Sequence, residues 1–198
     1  MTALQTQTAL LTGVAPLAIR GERGADIAAR EALLDACFGL NRHLRTCQRL
    51  RDGRAPAEGL ALSASLGRRL VGTVRLWHVD AGGTPALLLG PLAVDPSCRE
   101  LGIGAALMKH ALTIAEACGH GAVLLLGDAP YYARFGFSAL KTGALALPGP
   151  FEPARLLGCE LRAGALDGAT GMIVPTGRAS QGKPRAAARQ RKLATHAA

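Results

Sequence analysis

Hydrophobic spacing in the first half of the chain predicts a short strand, two helices and then three more strands. Apolar residues favour a strand at 17–20, recur near helical spacing over 25–38, and predict a shorter helix over 42–50. Three strand-like runs separated by glycine-containing turns follow at 60–67, 68–80 and 85–95. Strands joined by such short turns pair antiparallel, so we expect a meander.

The hydrophobic pattern changes after Pro96. Residues 103–118 form the clearest amphipathic helix of the chain. Its predicted apolar face consists of Leu107, Met108, Ala111, Leu112, Ala115 and Cys118. A short buried strand at 122–126 follows the helix. Because a strand, a helix and a second strand in this order form a βαβ crossover, the strands at 86–94 and 122–126 should be parallel.

The last third of the domain is predicted to hold short elements. These are a helical turn at 131–135, a strand beginning near Phe137, and strand candidates at 155–162 and 171–175. The whole set of elements predicts an α/β fold of the α+β type. We expect a mixed, mainly antiparallel sheet with one parallel strand pair and flanking helices.

Length and charge separate one domain from two terminal segments. The 198 residues suit a single globular domain at 14–176 after a flexible leader at 1–13. The formal net charge is +9, but the chain from Arg178 onward has six basic and no acidic residues, and without it the charge falls to +3. We therefore expect residues 177–198 to be a basic, disordered tail. Since this tail has no aromatic residue among its charges, we do not expect nucleic acid as a partner.

The cysteines and the hydrophobic runs bear on the compartment. Five cysteines are odd in number, far apart and without the spacing of a metal site, which favours free thiols and no bound metal. No apolar run approaches the ~20 residues that span a bilayer, and the N-terminal stretch lacks the positive start of a signal peptide. We expect a cytoplasmic protein with no membrane partner. Whether it is a monomer or a homodimer stays open.

The candidate chemistry lies in the loop RELGIG, residues 99–104, between the strand that ends at Asp95 and the amphipathic helix. Gly102 and Gly104 allow a sharp turn and a close approach to a ligand, and the helix offers unpaired N–H groups and the positive end of its dipole. Such an arrangement binds phosphate. The alternative is an ordinary strand-to-helix turn.

Two other phosphate-binding loops fit this segment less well. A P-loop, GxxxxGK[ST], needs a lysine after a glycine, and none stands at that spacing. A dinucleotide fingerprint, GxGxxG, needs glycine at a position that Leu107 occupies. Neither nucleotide class is therefore predicted.

Three segments, LGPLAVDPSCRELGIGAALM, AVLLLGD and YYARFGF, resemble the GNAT superfamily of acetyl-CoA-dependent N-acetyltransferases, specifically its YhbS-like branch. The resemblance extends over about residues 17–175. It implies acetyl-CoA as cosubstrate, with its pyrophosphate on the backbone of the loop and its pantetheine arm between two splayed parallel strands. The cofactor-binding residues implied by the family motif are Leu92, Val94, Arg99, Glu100, Leu101, Gly102, Ile103, Gly104 and Ala105.

The same resemblance implies a general acid at Tyr132. The motif Y-x-x-x-G-F starts at this residue, and the family often places there a tyrosine that protonates the departing CoA thiolate. A phenol with an ordinary pKa near 10 is protonated at neutral pH, so it can donate a proton. The alternative is that Tyr132 is a packed aromatic beside Tyr131.

The general base is less well defined. Many relatives have a glutamate on the strand before the loop, but residues 86–94 include no ionisable side chain. His78 and Asp128 are the candidates, each acting directly or through water, and an amine that loses its proton to solvent would need neither. Covalent catalysis by Cys98 is not expected, because the sequence shows no identifiable His/Asp partner for this thiol.

Two functions follow from the resemblance. The first is acetyl transfer from acetyl-CoA to a primary amine of an unidentified small molecule or protein by direct attack. The second, permitted by the missing glutamate, is a module of the same fold that binds acyl-CoA without turnover. The early helices and late loops, which are expected to build the acceptor pocket, carry the least specific part of the resemblance, so the resemblance implies no particular acceptor.

Overall fold

A computed structural model describes residues 15–180, whose centre is an eight-stranded mixed sheet. Its strands are β1 (Leu17–Gly21), β2 (Ala61–Leu66), β3 (Arg69–Ala81), β4 (Pro85–Val94), β5 (Ala122–Leu126), β6 (Leu145–Ala146), β7 (Leu156–Glu160) and β8 (Gly171–Pro175). The spatial order is β1-β2-β3-β4-β5-β7, with β8 beside β3 and β6 beside β8. The predicted leader at 1–13 and residues 181–198 of the predicted tail lie outside the described residues.

The predicted fold class is confirmed. The strands from β1 to β4 form an antiparallel meander, and β4 and β5 run parallel through the pairs Leu87–Val123 and Leu88–Leu124. A second parallel pair, β6 with β8, was not predicted, since β6 has two residues and leaves no periodic signal. The strand expected near Phe137 is reduced to an isolated bridge between Ser138 and Gly158.

Three α-helices and five 3-10 turns flank the sheet in the described part of the chain. The helices are α1 (Ile27–Phe38), α2 (Ile103–Ala117) and α3 (Ala129–Ala133). The 3-10 turns are Gly24–Asp26, Leu40–Leu44, Thr46–Leu50, Pro96–Leu101 and Pro153–Arg155. The single helix predicted over 42–50 is wrong, because Arg45 is extended between two of these turns. The buried pair Cys47 and Leu50 is three residues apart, which is one turn of 3-10 helix.

Both faces of the sheet are covered, as the alternating apolar residues of β3 and β4 require. On one face, Leu76 and Leu89 pack with α2. On the opposite face, Trp77 and Leu88 lie under the 3-10 turns and the segment around β6. The buried residues of α2 are Ile103, Leu107, Met108, Ala111 and Ala115. Cys118, which was predicted on this face, is exposed because the helix ends at Ala117.

The start of the predicted tail is hydrogen-bonded to the domain. The Ala55 N–H donates to the Arg178 carbonyl, and the Ser180 N–H donates to the Gly53 carbonyl, both at 2.8 Å. The Arg54 side chain also reaches this segment, at the carbonyl of residue 177. Residues 177–180 therefore close the loop that precedes β2, and the division of the chain into leader, domain and tail remains a prediction.

Two truncations test where the domain ends. Deletion of residues 181–198, which include one large apolar side chain, Leu193, should leave Tm unchanged. Deletion of residues 177–198 removes three hydrogen bonds to the loop at 53–55, each contributing about 1 kcal/mol, and should lower Tm by about 6–12 °C. Differential scanning calorimetry of both proteins checks this, and equal Tm values would place the boundary at 177.

Candidate active site

The site begins where β4 separates from β5. The strands pair as far as Leu88 and Leu124, and no pairing between them continues toward Val94. In the same region β4 has one residue more than β3, because Leu76 pairs with Leu89 and Val74 with Leu92. This bulge at 90–91 turns β4 away from its neighbour and leaves its edge open.

A cavity of about 500 Å³, which we call the loop cavity, adjoins this open edge. It is lined by the end of α1, the end of β4, the loop before α2, and α3. The residues that line it are Cys37, Phe38, Leu92, Ala93, Val94, Arg99, Glu100, Gly102, Gly104, Ala105, Tyr131, Tyr132 and Arg134. Seven of the nine predicted cofactor-binding residues are therefore together in one cavity.

The other two predicted residues differ. The Leu101 side chain is 58% exposed and does not line the loop cavity. Ile103 is buried in the core against Gly72, where an added Cβ would lie 3.0 Å from its side chain. The Ile103 side chain therefore serves the core and the Leu101 side chain faces solvent, so any role of these two residues in ligand binding falls to their backbone.

The backbone at the start of α2 is suited to an anion. Gly102 has φ +70°, a left-handed conformation that favours glycine, and it ends the 3-10 turn and caps α2. The first i to i−4 bond runs from Ala106 N–H to the Gly102 carbonyl at 3.0 Å. The amides of residues 103–105 therefore have no acceptor within the helix. Gly104 leaves space that a Cβ would fill, 3.0 Å from the Tyr131 hydroxyl.

Side-chain charge in the loop cavity is mainly positive. Arg99 and Arg134 line it together with one acid, Glu100. Arg134 lies over the Tyr131 ring, 4.1 Å from its centroid, and donates to the Tyr131 carbonyl at 3.0 Å. These contacts fix the guanidinium near the helix start, where it adds to the attraction for phosphate.

Asp95 holds the turn that leads into the loop. Its carboxylate accepts from the Ser97 N–H at 2.9 Å and pairs with Arg69 at 2.7 Å. The Ser97 hydroxyl and the Arg69 guanidinium lower the pKa of Asp95 to about 2. The carboxylate is therefore ionised at every physiological pH, and the turn keeps its anchor.

A second cavity, of about 630 Å³, lies on the other side of the opening. We call it the arginine cavity because Arg42, Arg45, Arg51 and Arg155 line it. Its wall combines the 3-10 turns at 40–50, the bulge of β4, the end of β5 and the segment 150–155. Glu152 is the acidic residue among the side chains that line it.

Tyr132 stands at the junction of the two cavities. It lines both of them, as do Phe38 and Leu92. Its ring packs directly on Gly127, where an added Cβ would lie 2.3 Å from a ring carbon. No residue in 15–180 hydrogen-bonds its hydroxyl. Burial, with a smaller contribution from Tyr131, raises the pKa of Tyr132 to about 12, so the phenol stays protonated.

Neither predicted base, His78 or Asp128, is among the residues that line the two cavities, although Asp128 is close enough to Tyr132 to help raise its pKa. His78 lies 5.3 Å from His120, ring to ring, at the C-terminal end of α2. A 15-residue helix is about 22 Å long, so His78 is far from the loop at the other end of α2. Asp128 is exposed, and its carbonyl accepts the first amide bonds of α3. Cys98, the thiol for which no catalytic role is expected, is buried in the core.

Several cavity residues were not found from the sequence. Phe38 and Arg134 each lie in a predicted helical element, at 25–38 and 131–135, but nothing in the sequence placed either side chain in a cavity. Arg51 and Glu152 lie in segments without hydrophobic period, and their convergence depends on the tertiary fold.

Among residues 15–180, no helix is long and apolar enough to cross a bilayer, and no group of three His, Cys, Asp or Glu side chains is placed to hold a metal.

Comparison with known proteins agrees with this architecture. A model of the acetyltransferase (GNAT) family matches residues 28–137, more than half of the chain. The chain is 30% identical over 157 residues to the uncharacterized N-acetyltransferase YhbS of Escherichia coli strain K12, covering 78% of this chain and 93% of that protein.

Two crystal structures resemble the fold. One is the GNAT family N-acetyltransferase YhbS from Escherichia coli in complex with CoA, with a TM-score of 0.69, 29% identity, and coverage of 80% of this chain and 89% of that one. The other is a GNAT family acetyltransferase from Brucella melitensis in complex with acetyl-CoA, with a TM-score of 0.51, 27% identity, and coverage of 72% and 94%. With the splayed strands and the loop cavity, these matches lead to one conclusion: the chain belongs to the GNAT family of acetyltransferases, in its YhbS-like branch.

Proposed function

We propose that this enzyme moves the acetyl group of acetyl-CoA to a primary amine of a small molecule or protein by direct attack. The observation that carries the proposal is the position of Tyr132, which lines both the loop cavity and the arginine cavity. A donor in one cavity and an acceptor in the other would meet at this side chain. Direct transfer between two bound substrates requires such a junction.

The loop cavity is the proposed site of acetyl-CoA. The free amides at residues 103–105 and the guanidinium groups of Arg99 and Arg134 suit its pyrophosphate. The open edge of β4 at Leu92 and Val94 suits the amides of the pantetheine arm. Complexes of the Escherichia coli and Brucella melitensis relatives with CoA and acetyl-CoA support this assignment.

The proposed reaction balances around the thioester. The amine nitrogen forms a bond to the thioester carbon, the carbon–sulfur bond breaks, and the departing sulfur takes the proton of the Tyr132 hydroxyl. The acceptor ammonium loses one proton before the attack, its nitrogen loses a second proton as the amide forms, and a proton from solvent finally restores Tyr132. The high pKa of Tyr132 keeps its hydroxyl protonated before each turnover.

Glu152 is the proposed acceptor of the proton that the ammonium loses before the attack, either directly or through one water molecule. Its side chain lines the arginine cavity with Tyr132, and no salt bridge engages it within residues 15–180. His78 and Asp128 lack this position.

We also retain the cytoplasm as the proposed compartment, because all five cysteines are free.

The alternative is an acyl-CoA-binding module without turnover. Both proposals expect acetyl-CoA to bind, so binding does not separate them. A screen of primary amines, monitored by release of the free CoA thiol, does. Amine-dependent release supports transfer, whereas tight binding with no release by any amine supports the module.

Gly104→Asp tests the loop cavity. The new carboxylate would fill the space beneath the Tyr131 hydroxyl and repel the pyrophosphate, so the Kd for acetyl-CoA should rise at least about 10-fold. Isothermal titration calorimetry gives the Kd. Gly143→Asp is the matched control, since an added Cβ there meets nothing within 4 Å. Equal affinities of both variants would mean that the loop does not bind the cofactor.

Tyr132→Phe tests the general acid. The variant keeps the ring but not the proton, so kcat should fall about 100-fold with little change in acetyl-CoA affinity. Because the pKa of Tyr132 is about 12, the wild-type rate should show no loss of this acid up to about pH 10.

Tyr131→Phe is the paired variant for this test. The Tyr131 hydroxyl lies beside Gly104 in the loop cavity, so its removal should change the KM for acetyl-CoA and leave kcat near the wild-type value. Full kcat in Tyr132→Phe at saturating acceptor would mean that Tyr132 is a packed aromatic and not the general acid.

Glu152→Gln tests the base. At pH 7 the variant should lose about 10- to 100-fold in kcat/KM, because the acceptor ammonium has no local proton acceptor. The deficit should shrink as pH rises toward the pKa of the amine, where solvent supplies the neutral form. Glu58→Gln, at an exposed position outside both cavities, is the control. A pH-independent deficit would argue against proton transfer to Glu152.

A further inference from the structure

The arginine cavity contains more positive charge than its own acids neutralise. One of its arginines, Arg42, is paired with Asp35 at 2.7 Å and with Glu31. No carboxylate in residues 15–180 lies within 4 Å of the guanidinium groups of Arg45, Arg51 or Arg155. Three unpaired cations and one unpaired acid, Glu152, therefore line the same space.

Arg51 is the least compensated of the three. Its Nε atom is buried and has no hydrogen-bond partner. Its guanidinium lies against the bulge of β4, where a Cβ added to Gly90 would stand 2.9 Å from one of its nitrogens. Burial lowers the pKa of Arg51, and the nearby cation Arg45 lowers it further. Cys47 and Asp52 partly offset this lowering, but a thiol is a weak acceptor and Asp52 forms no salt bridge with Arg51.

A buried cation without a partner destabilises a fold, and apolar residues of similar volume are usually tolerated in its place. No ion pair among residues 15–180 accounts for an arginine at position 51. A planar guanidinium that faces a cavity is suited to a carboxylate or a phosphate, which it binds through two parallel hydrogen bonds. A bound anion would satisfy the charge that the protein leaves open.

We propose that the acceptor is a small amine that also carries an anionic group, a carboxylate or a phosphate, and that Arg51 binds this group with help from Arg45. This inference rests on the proposed function and specifies its substrate class. The anion is held beside the bulge of β4, and the amine is directed toward Glu152 and Tyr132. The charges of the cavity match such a zwitterion: cations for the anionic end and a carboxylate for the ammonium.

Pairs of amines that differ in the anionic group test the inference. The pairs are glycine with glycinamide, γ-aminobutyrate with γ-aminobutyramide, and aminoethyl phosphate with ethanolamine. Release of the CoA thiol gives kcat/KM for each amine, and calorimetry with CoA-saturated protein gives binding without turnover. The first two pairs report a carboxylate and the third a phosphate. The variants are Arg51→Met, Arg51→Lys and, as the surface control, Arg68→Met, whose position is exposed and outside both cavities.

In at least one pair, the anionic member should be preferred by about 10- to 100-fold, as expected for a charge-assisted pair. Arg51→Met should abolish this preference through KM, Arg51→Lys should restore part of it, and Arg68→Met should behave like wild type. Equal use of anionic and neutral amines would overturn the inference and leave acetyl transfer intact. Arg51-dependent binding of an anionic amine without release of CoA would support the anion site and contradict acetyl transfer.

The stability of Arg51→Met gives a readout besides activity. Because the guanidinium has no acidic partner, its replacement should leave Tm unchanged or raise it. A large fall in Tm would mean that Arg51 stabilises the fold and would contradict a role in binding the acceptor. Absence of binding and of turnover for every anionic amine would overturn the inference as well, and so would an equal loss of kcat with anionic and neutral amines in Arg51→Met.

Discussion

The separation of β4 from β5 beyond Leu88 is the constraint on which both cavities depend. A strand edge within a domain carries backbone groups that need partners. Trp77 donates to the Gly90 carbonyl at 2.6 Å, and the Cys37 thiol donates to the Val94 carbonyl at 3.3 Å. These two side chains stabilise the splayed strand. Because a thiol is a weak donor, the bond to Val94 is a weak competitor for an amide-containing ligand.

The bulge that starts this separation also sets which side chains face the site. One extra residue in β4 reverses the alternation, so Leu89 packs with α2 before the bulge and Leu92 and Val94 adjoin the same cluster after it. Ala93 then points toward α1. The end of α1 can thus cover β4 from one side while α2 presents its first turn from the other. The dipeptide Gly90–Pro91 interrupts the apolar run of β4 at this bulge, which is a usual place for glycine and proline within a strand.

The parts of the molecule that the sequence predicted are those governed by local periodicity. Hydrophobic periodicity indicated the parallel strands at 86–94 and 122–126 and the helix between them. The positions of two glycines before that helix indicated the loop. The arginine cavity is different, because it joins segments about a hundred residues apart through single contacts, such as Arg49 with the Pro148 carbonyl at 2.7 Å. Glu152 and Arg51 have no periodic neighbours to mark them. No local rule brings them together, so only the fold reveals the candidate base and the uncompensated cation.

The two cavities share one distribution of charge: each contains arginines, and the junction between them is apolar. Arg99 and Arg134 make the loop cavity positive, and Arg51 makes the arginine cavity positive, but the junction between them is formed by Phe38, Leu92 and the ring of Tyr132. Anionic groups of two substrates would therefore be held at opposite ends, and the neutral thioester would lie in the least polar region. A hydrogen bond to developing charge is stronger where water is excluded. In the proposed mechanism, the burial that keeps Tyr132 protonated would therefore also strengthen its hydrogen bond to the departing sulfur.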